Sequence, residues 1–476
     1  MSGVFYRKGG KQMKKFLALL LAMTMVMALV ACGNQNNAPA DNKPSDNQTQ
    51  NDKQPEDNKT PDTTEPATAE EITLWTYPVG NWGDEANVKA ITDAFTADTG
   101  IKVTVEYLDY TNGDDKVNTA LTAGNQPDLV LEGPERLVAN WGANGHMVDL
   151  SDLIDAADEG EFIPAAYNAC VNAEGKVYEY PMCMTAHCMA INKQAFEAAD
   201  ALQYVDLENR TWSTENFIKA VNALYAYYGD TVGVVYCNGQ GGDQGTRELV
   251  TNMYGGTFTN ADHSKLTWDD ANNIKAFQTL YDLDGIAYDA SVTASDEIAK
   301  FYQGTLKMAF CWNSGQQLNP NAANTGEGKT ITGDDIIFLC QPTEDGSASR
   351  LGGGIWGFGI FDKGDASRVA AAKEFIKWVC DSEHTVECIP NGFFPVRSTA
   401  ADGAADLSAF TDNEMVKEYF QVMLPRMGDY YQVIPGWAGI RTEWWTMLQD
   451  IGAGTPVEEA VAKGTAAGNA VVDAAR

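Results

Sequence analysis

The 476-residue chain is poor in positive charge and in histidine: 33 lysines and arginines stand against 66 aspartates and glutamates, a net charge of −33, and there are four histidines. A surface this acidic repels phosphate backbones and anionic headgroups, so nucleic acid is a poor partner for it. Four histidines over this length argue against a histidine-rich metal centre. No CxxC pair is present, so neither a zinc ribbon nor a thioredoxin-like site is signalled, and no GxSxG, HExxH or comparable catalytic pattern occurs. There is no fixed-period repeat to support a solenoid. Beyond the N-terminus no apolar run is long enough to cross a bilayer. What remains is 44% hydrophobic and 21% charged, an ordinary globular ratio that rules out a fibrous or wholly disordered chain and allows two or three units of about 150 residues.

The N-terminus reads as an address. Arg7, Lys8, Lys11, Lys14 and Lys15 precede the apolar run Phe16 to Val30, and Leu29-Val-Ala-Cys32 follows. This is the order of a signal peptide, and the run is too short for a membrane span. Translation could begin at Met1 or at Met13. The last four residues resemble a bacterial lipobox, which places a lipid anchor on Cys32 after removal of residues 1–31; the alternative is an ordinary secretory signal cleaved near Ala31. Residues 33–71 consist mainly of Asn, Gln, Asp, Glu, Thr, Pro, Ala and Lys, with no aromatic residue. They cannot bury enough apolar surface to offset ordering entropy, so residues 32–71 are expected to be a lipidated cysteine and a disordered tether of roughly 35 Å root-mean-square span.

From Ile72 strand and helix signals alternate. Strands are expected at 72–77, 101–107 and 128–132, with helices at 87–99, near Val117 and Leu121, and after Pro134. This order predicts an α/β lobe with a largely parallel sheet. A second series starts near residue 185, with a helix capped by Ser213 and stapled by Trp212 against Phe217. Further strands are expected at 231–237, 306–312, 335–341 and 355–361, and helices at 269–284, 366–381, 412–424, 440–451 and 456–475.

Eight cysteines lie in this body, and four of them, Cys237, Cys311, Cys340 and Cys380, sit inside apolar runs where a thiol behaves as a small hydrophobe. They are expected to be mainly reduced and buried, with Cys183 to Cys188 or Cys380 to Cys388 as disulfide options. Cys183, His187 and Cys188 on an extended strand would point to both faces, so packing is a better reading than metal ligation. The glycine-rich segments 239–245 and 352–354 lack the Lys-Ser/Thr of a phosphate loop and read as turns, the second as an interlobe crossing. The aromatic residues say more. Tyr77, Trp82, Trp312, Trp356 and Trp437 fall at strand ends or beside polar turns, where ring faces can stack on a pyranose while carboxylates, amides and arginine bond its hydroxyls.

The body resembles the extracellular solute-binding protein family 1 of ABC importers, the maltose-binding-protein-like group. The marks are Ile72-Thr-Leu-Trp-Thr, Phe95-Thr-Ala-Asp-Thr-Gly-Ile-Lys-Val-Thr-Val-Glu106, Gly124-Asn-Gln-Pro-Asp-Leu-Val130, Tyr180-Pro181 with Ala190-Ile-Asn-Lys193, Thr211-Trp-Ser-Thr-Glu-Asn-Phe217, Phe301-Tyr-Gln-Gly-Thr-Leu-Lys-Met-Ala309 and Lys373-Glu-Phe-Ile-Lys-Trp378. The resemblance implies the two-lobe α/β periplasmic-binding-protein type II fold with a ligand cleft and interlobe crossings. Lobe 1 would be 72–184 plus about 350–395, and lobe 2 would be 185–349 plus about 396–476. Crossings are expected near Thr185, Asp345 to Gly352 and Pro395.

The same resemblance implies site positions. The loop Glu132-Gly-Pro-Glu-Arg136 matches the one that supplies an acid-arginine pair to the sugar, so Glu135 and Arg136 keep the pair while Glu132 stands where the maltose binder has tryptophan. Thr185 replaces a glutamate. Trp312 matches the tryptophan ending its strand, and Trp437 with Arg441 matches a late Trp-x-x-x-Arg segment. The loop Tyr77 to Asp84, containing Trp82, is a further candidate wall, and Trp356 completes the set. The implied function is a monomeric, lipid-anchored protein on the outer face of the cell membrane, periplasmic in a Gram-negative host. It would capture a sugar or oligosaccharide, pass it to the permease subunits of an ABC importer, and perform no chemistry with no cofactor or metal. A cationic ligand such as a polyamine is the alternative, and a surface glycoside hydrolase a more distant one. Residues 1–31 carry five of the positive charges and none of the negative, so the acidity belongs to the lobes and serves solubility first.

Overall fold

The structure is a computed structural model that describes residues 68–110, 112–154, 161–239, 243–318, 328–380, 384–397 and 412–476. Cys32, the signal segment and almost all of the tether lie outside the described residues, as do 240–242 of the first glycine-rich segment.

The chain opens with β1 (Glu71–Thr76), α1 (Glu85–Thr99), β2 (Lys102–Tyr107), α2 (Gly113–Ala123), β3 (Leu129–Glu132) and β4 (Tyr180–Met184). Helix α1 starts where the Asp84 side chain accepts from the Asn87 amide and stops at Gly100, whose left-handed φ of 80° a side chain would disfavour. Val88, Ile91 and Phe95 form its buried stripe. Strand β3 is buried on both faces, as expected for a central strand covered by helices.

The chain then crosses to a second set of sheets. These comprise β5 (Cys188–Asn192), α3 (Thr214–Tyr228), β6 (Gly233–Asn238), α4 (Gln244–Met253), α5 (Ala271–Tyr281), β7 (Ile286–Thr293), α6 (Ala294–Tyr302), β8 (Met308–Trp312) and β9 (Ile336–Leu339). Ser213 caps α3 by accepting from the Asn216 amide, and Trp212 meets Phe217 edge to face at 5.2 Å, so the staple forms as its sequence predicts. The chain returns for β10 (Ile355–Ile360), α7 (Ala366–Cys380) and β11 (Phe394–Pro395). It ends with α8 (Glu414–Met423), α9 (Trp437–Gly452) and α10 (Val457–Ala474).

The first lobe holds one six-stranded sheet in the order β11-β4-β10-β3-β1-β2. It is mixed, not largely parallel: β1 pairs in parallel with β2 and β3, while β10 runs antiparallel between β3 and β4, and β11 runs antiparallel to β4. Strand β10 enters from the opposite end because the chain reaches it from β9 in the second lobe, and β11 runs the same way. In that second lobe β5 lies antiparallel between β8 and β9, and β6 pairs in parallel with β7.

Two crossings touch each other. The Thr185 amide donates to the Gly354 carbonyl at 2.9 Å and the His187 amide to the Gly352 carbonyl at 2.7 Å. A Cβ on Gly353 would stand 1.7 Å from the Thr185 carbonyl oxygen, and one on Gly354 would stand 2.1 Å from the Trp356 ring. The run Gly352 to Gly354 therefore exists to let two backbones and an indole approach closely. All eight body cysteines are buried, and no disulfide joins Cys183 to Cys188.

Candidate functional site

The end of β3 delivers Glu132 and the turn Pro134–Arg136 to the space between the lobes. Arg136 is the hub. Its Nη1 donates to Glu132 Oε1 at 2.9 Å and to Glu135 Oε1 at 3.4 Å, and its Nε donates to Asp114 Oδ1 at 2.7 Å. Its guanidinium also lies 5.1 Å from the centroid of the Tyr77 ring and 5.6 Å from that of Tyr110, within cation–π range. The Tyr77 hydroxyl donates to Asp114. Glu135 reaches the other way, its Oε2 accepting from the Tyr430 hydroxyl at 2.8 Å.

Three carboxylates thus share one guanidinium, and the surplus falls on Glu132. Its second oxygen is buried without a partner. Burial, helped by Glu135 and Asp114 and opposed by Arg136, pushes its carboxyl up to about 8. Glu179 is also fully buried, with the Cys170 thiol beside its carboxyl. Burial raises that carboxyl too.

The facing cluster inverts the ratio. Asp243, at the head of α4, accepts two bonds from Arg441, from Nε at 2.8 Å and from Nη2 at 2.6 Å, and pairs with Arg247. Burial would raise the Asp243 carboxyl, but the two arginines outweigh it and hold it low. Arg247 lies among the rings of Phe258, Tyr431 and Trp437, with centroids 5.5, 5.8 and 4.9 Å away. It donates to the Tyr431 hydroxyl at 3.0 Å and to Gln432 Oε1 at 3.2 Å.

Between the clusters lies a cavity of about 230 Å³, lined by Tyr110, Glu132, Glu135, Arg136, His187, Gln244, Asn313, Gln316, Trp356, Phe393, Tyr430, Gln432 and Arg441 among others. It shares Glu135, Arg136 and Arg441 with a second cavity of about 230 Å³ that reaches Asp114 and Trp437. At the other side it shares Pro78, Gly80, Asn313, Gln316 and Phe393 with a third of about 720 Å³, which adds Asn81, Asn87 and Asn391. The three cavities form one elongated groove, charged at one end and rich in amides at the other.

The structure brings Glu132, Glu135, Arg136, Trp356 and Arg441 together around the central cavity, and Trp437 at the charged end. Trp356 is half-buried and leans on Phe393 with centroids 5.1 Å apart, which leaves ring surface toward the groove. Four other candidates stand elsewhere. Tyr77 is buried behind Arg136, where it steadies Asp114. Thr185 belongs to the crossing, bonded to Gly354 through its amide and, at 3.4 Å, its hydroxyl.

Trp82 and Trp312 are core residues and not ring-stacking walls, which corrects the sequence expectation. Trp82 has no exposed surface, meets Phe358 edge to face and donates to the Cys388 carbonyl at 2.9 Å. Trp312 is equally buried, with one face stacked on Phe338 at 5.9 Å and 4°, Tyr419 against it edge-on at 5.5 Å, and its Nε1 donating to Gln317 at 3.4 Å. The residue after it, Asn313, is the one that lines the groove. Tyr110, His187, Gln244, Phe393, Tyr430 and Gln432 also line the cavity and were not singled out as site residues from sequence. Only Asn313 and Gln244 lay in polar, glycine-bearing turns that stood out there.

Two α/β lobes joined by touching crossings, with unpartnered buried polar groups in the groove between them, define a cleft-binding protein of the solute-binding class. Residues 80–384 match the family model for bacterial extracellular solute-binding protein, and the chain belongs to that family. It is 28% identical over 202 residues, 42% of this chain and 40% of the relative, to a maltooligosaccharide ABC transporter solute-binding lipoprotein of Streptococcus pneumoniae. The match therefore spans less than half of that relative's length. Among solved structures, the GacH receptor of Streptomyces glaucescens, described unliganded and with acarbose and an acarbose homolog, superposes with a TM-score of 0.66 at 18% identity, covering 86% of this chain and all of that one. The cyclic alpha-maltosyl-1,6-maltose binding protein of Arthrobacter globiformis gives 0.63 at 19% identity, covering 85% of this chain and 99% of that one. These structural likenesses show the fold: the two-lobe α/β fold of maltose-binding-protein-like proteins.

Proposed function

We propose that this protein captures an oligosaccharide in the groove between its lobes and presents it to the permease of an ABC importer, held at the outer face of the membrane by a lipid on Cys32. The observation that carries the reading is the groove itself. Three connected cavities pair aromatic surface from Tyr110, Trp356, Phe393 and Tyr430 with carboxylate, guanidinium and amide groups. Flat apolar faces and hydroxyl-directed polar groups are what a chain of sugar rings offers partners for. The pneumococcal relative and the two solved structures are described with ligands of the same class. No bond-breaking step is assigned. The ligand's role is to stabilise the closed form, since a permease distinguishes loaded from empty protein only if the two differ in shape.

The test is isothermal titration of the mature protein with maltose through maltoheptaose and with cello-, xylo- and manno-oligosaccharides, followed by chromatography of the recovered sugars. At least one series should bind without cleavage, with longer members binding more tightly than the disaccharide. If none of the saccharides binds, the carbohydrate reading fails; a spermidine control reports the cationic alternative, and cleavage products would report a hydrolase.

A further inference from the structure

His187 sits where the two lobes are joined. Its amide is bonded to the Gly352 carbonyl on the neighbouring crossing, and its ring lines the central cavity beside Gln244, Trp356 and Gln432. The side chain is 5% exposed. Its Nε2 lies 3.0 Å from Asn313 Nδ2, and the direction of that bond is fixed by a second one, because Asn313 Oδ1 already accepts from the Gln316 amide at 2.8 Å. The Asn313 nitrogen must therefore donate and Nε2 must accept. In a neutral imidazole the proton then resides on Nδ1. That Nδ1 is buried with no partner. Burial pushes the ring down to about 4, with Arg247 adding to the effect and Asp243 opposing it, so the ring is neutral under ordinary conditions.

We infer that His187 is a ligand-contacting residue, its Nδ1–H donating to a ligand oxygen while Nε2 holds Asn313 and its amide holds the second crossing. A buried donor without an acceptor is costly, and a cavity at its edge is where the acceptor arrives. The arrangement ties occupancy to the two crossings directly, since one residue would touch the ligand and β8's terminal turn with its ring and the joint between the lobes with its amide. This inference rests on the carbohydrate reading of the groove.

The test uses the tightest-binding saccharide from the titrations above. Wild-type protein with ¹⁵N-labelled histidine should show the Nδ1–H tautomer for His187 in the free state, and the ring-nitrogen shifts of His187 should move on saturation; with four histidines assignment is tractable. His187→Leu should weaken binding more than about tenfold. His187→Asn, whose amide nitrogen can stand where Nδ1 stood, should recover most of that loss. An unmoved His187 signal at saturation, or a Leu variant that binds as wild type, overturns the inference even if one variant folds poorly, because the labelling experiment uses the native chain. If no saccharide binds wild type, the carbohydrate reading falls and this inference with it. If wild type binds and His187 stays silent, only this inference falls.

Discussion

The two ion clusters on either side of the groove have nearly inverse compositions and very different states of satisfaction. On the β3 side one arginine, Arg136, serves Asp114, Glu132 and Glu135. On the α4 side one carboxylate, Asp243, serves Arg247 and Arg441. The second cluster is closed: Asp243 takes a two-pronged bond, and Arg247 is sheathed by rings and bonded to Tyr431 and Gln432. The first leaves Glu132, which lines the cavity, with a buried oxygen that has no partner. A surplus of carboxylates can be relieved by taking up a proton, whereas a surplus of arginines cannot be relieved at all. The acid-rich side can therefore stay adjustable for a ligand, whereas the arginine-rich side, although Arg441 reaches the groove, must keep its counter-charge fixed.

The largest effect should come from breaking the closed cluster. Asp243→Ala leaves two buried guanidinium groups without their counter-charge and is expected to cost about 3–5 kcal/mol, read as a fall in the urea midpoint. Arg136→Ala, on the acid-rich side, should cost less, because the stranded carboxyls can protonate, and its cost should be smaller at pH 5 than at pH 8. Equal and pH-independent losses for the two variants would erase the distinction between the sides.

The tryptophans supply the next contrast. Trp312→Ala removes a ring packed between Phe338 and Tyr419 and should destabilise by about 3–5 kcal/mol. Trp356→Ala removes half-buried surface at the groove, so stability should change little while affinity for the best-binding saccharide falls by about 2 kcal/mol, roughly thirtyfold. Denaturation and calorimetry on the same two variants separate the roles. A Trp356 variant with undiminished affinity would remove that ring from the site.

Much of this was legible in sequence, for reasons of range. Strands β1 to β3 and helix α1 carry their own alternation, stripes and caps, so local pattern suffices. The direction of β10 and β11, two of the six strands of the first sheet, was not legible, because nothing in Ile355–Ile360 or Phe394–Pro395 records from which end the strand enters. Strand β7 escaped notice because Ile286-Ala-Tyr-Asp-Ala-Ser-Val-Thr293 has neither clean alternation nor an apolar run. In the groove, Glu132, Glu135 and Arg136 were found because one loop carries all three. Tyr110, His187, Phe393 and Tyr430 come from distant elements and share no motif. Trp312 and Trp356 look alike as strand residues; only what lies across from each, Phe338 and Tyr419 or open groove, tells them apart.

The acid-rich side also predicts a pH dependence. The folded state holds Glu132 up to about 8 while the unfolded chain titrates it near its ordinary value of 4.5. Between those values the native state binds the extra proton, so stability falls as pH rises from about 4.5 to 8. Glu248 and Glu297, pushed up by burial to about 7 and about 8, contribute with the same sign. Glu132→Gln cannot ionise and should remove its share. The variant should match wild type near pH 5 and exceed it near pH 8 in urea titrations. A variant with an unchanged slope would show that Glu132 is ionised in the native state and that the surplus charge is relieved elsewhere.

The smallest expected effect tests whether the two sides communicate. The Tyr430 hydroxyl donates to Glu135 Oε2 at 2.8 Å. Tyr431, the next residue, stacks on Phe258 and bonds Arg247, so this one bond links the acid-rich cluster to the arginine-rich one. In Tyr430→Phe that link is lost, but Glu135 keeps Arg136 and can regain water when the lobes part. The net cost should then be about 1 kcal/mol, felt only in the closed form. A bias of that size shifts the open-closed balance about fivefold and weakens apparent affinity in proportion, since only the closed population binds tightly. Titration should give a Kd raised by up to about fivefold with stability unchanged. If Kd stays at the wild-type value, the clusters act independently, and closure is driven from the ligand and the crossings alone.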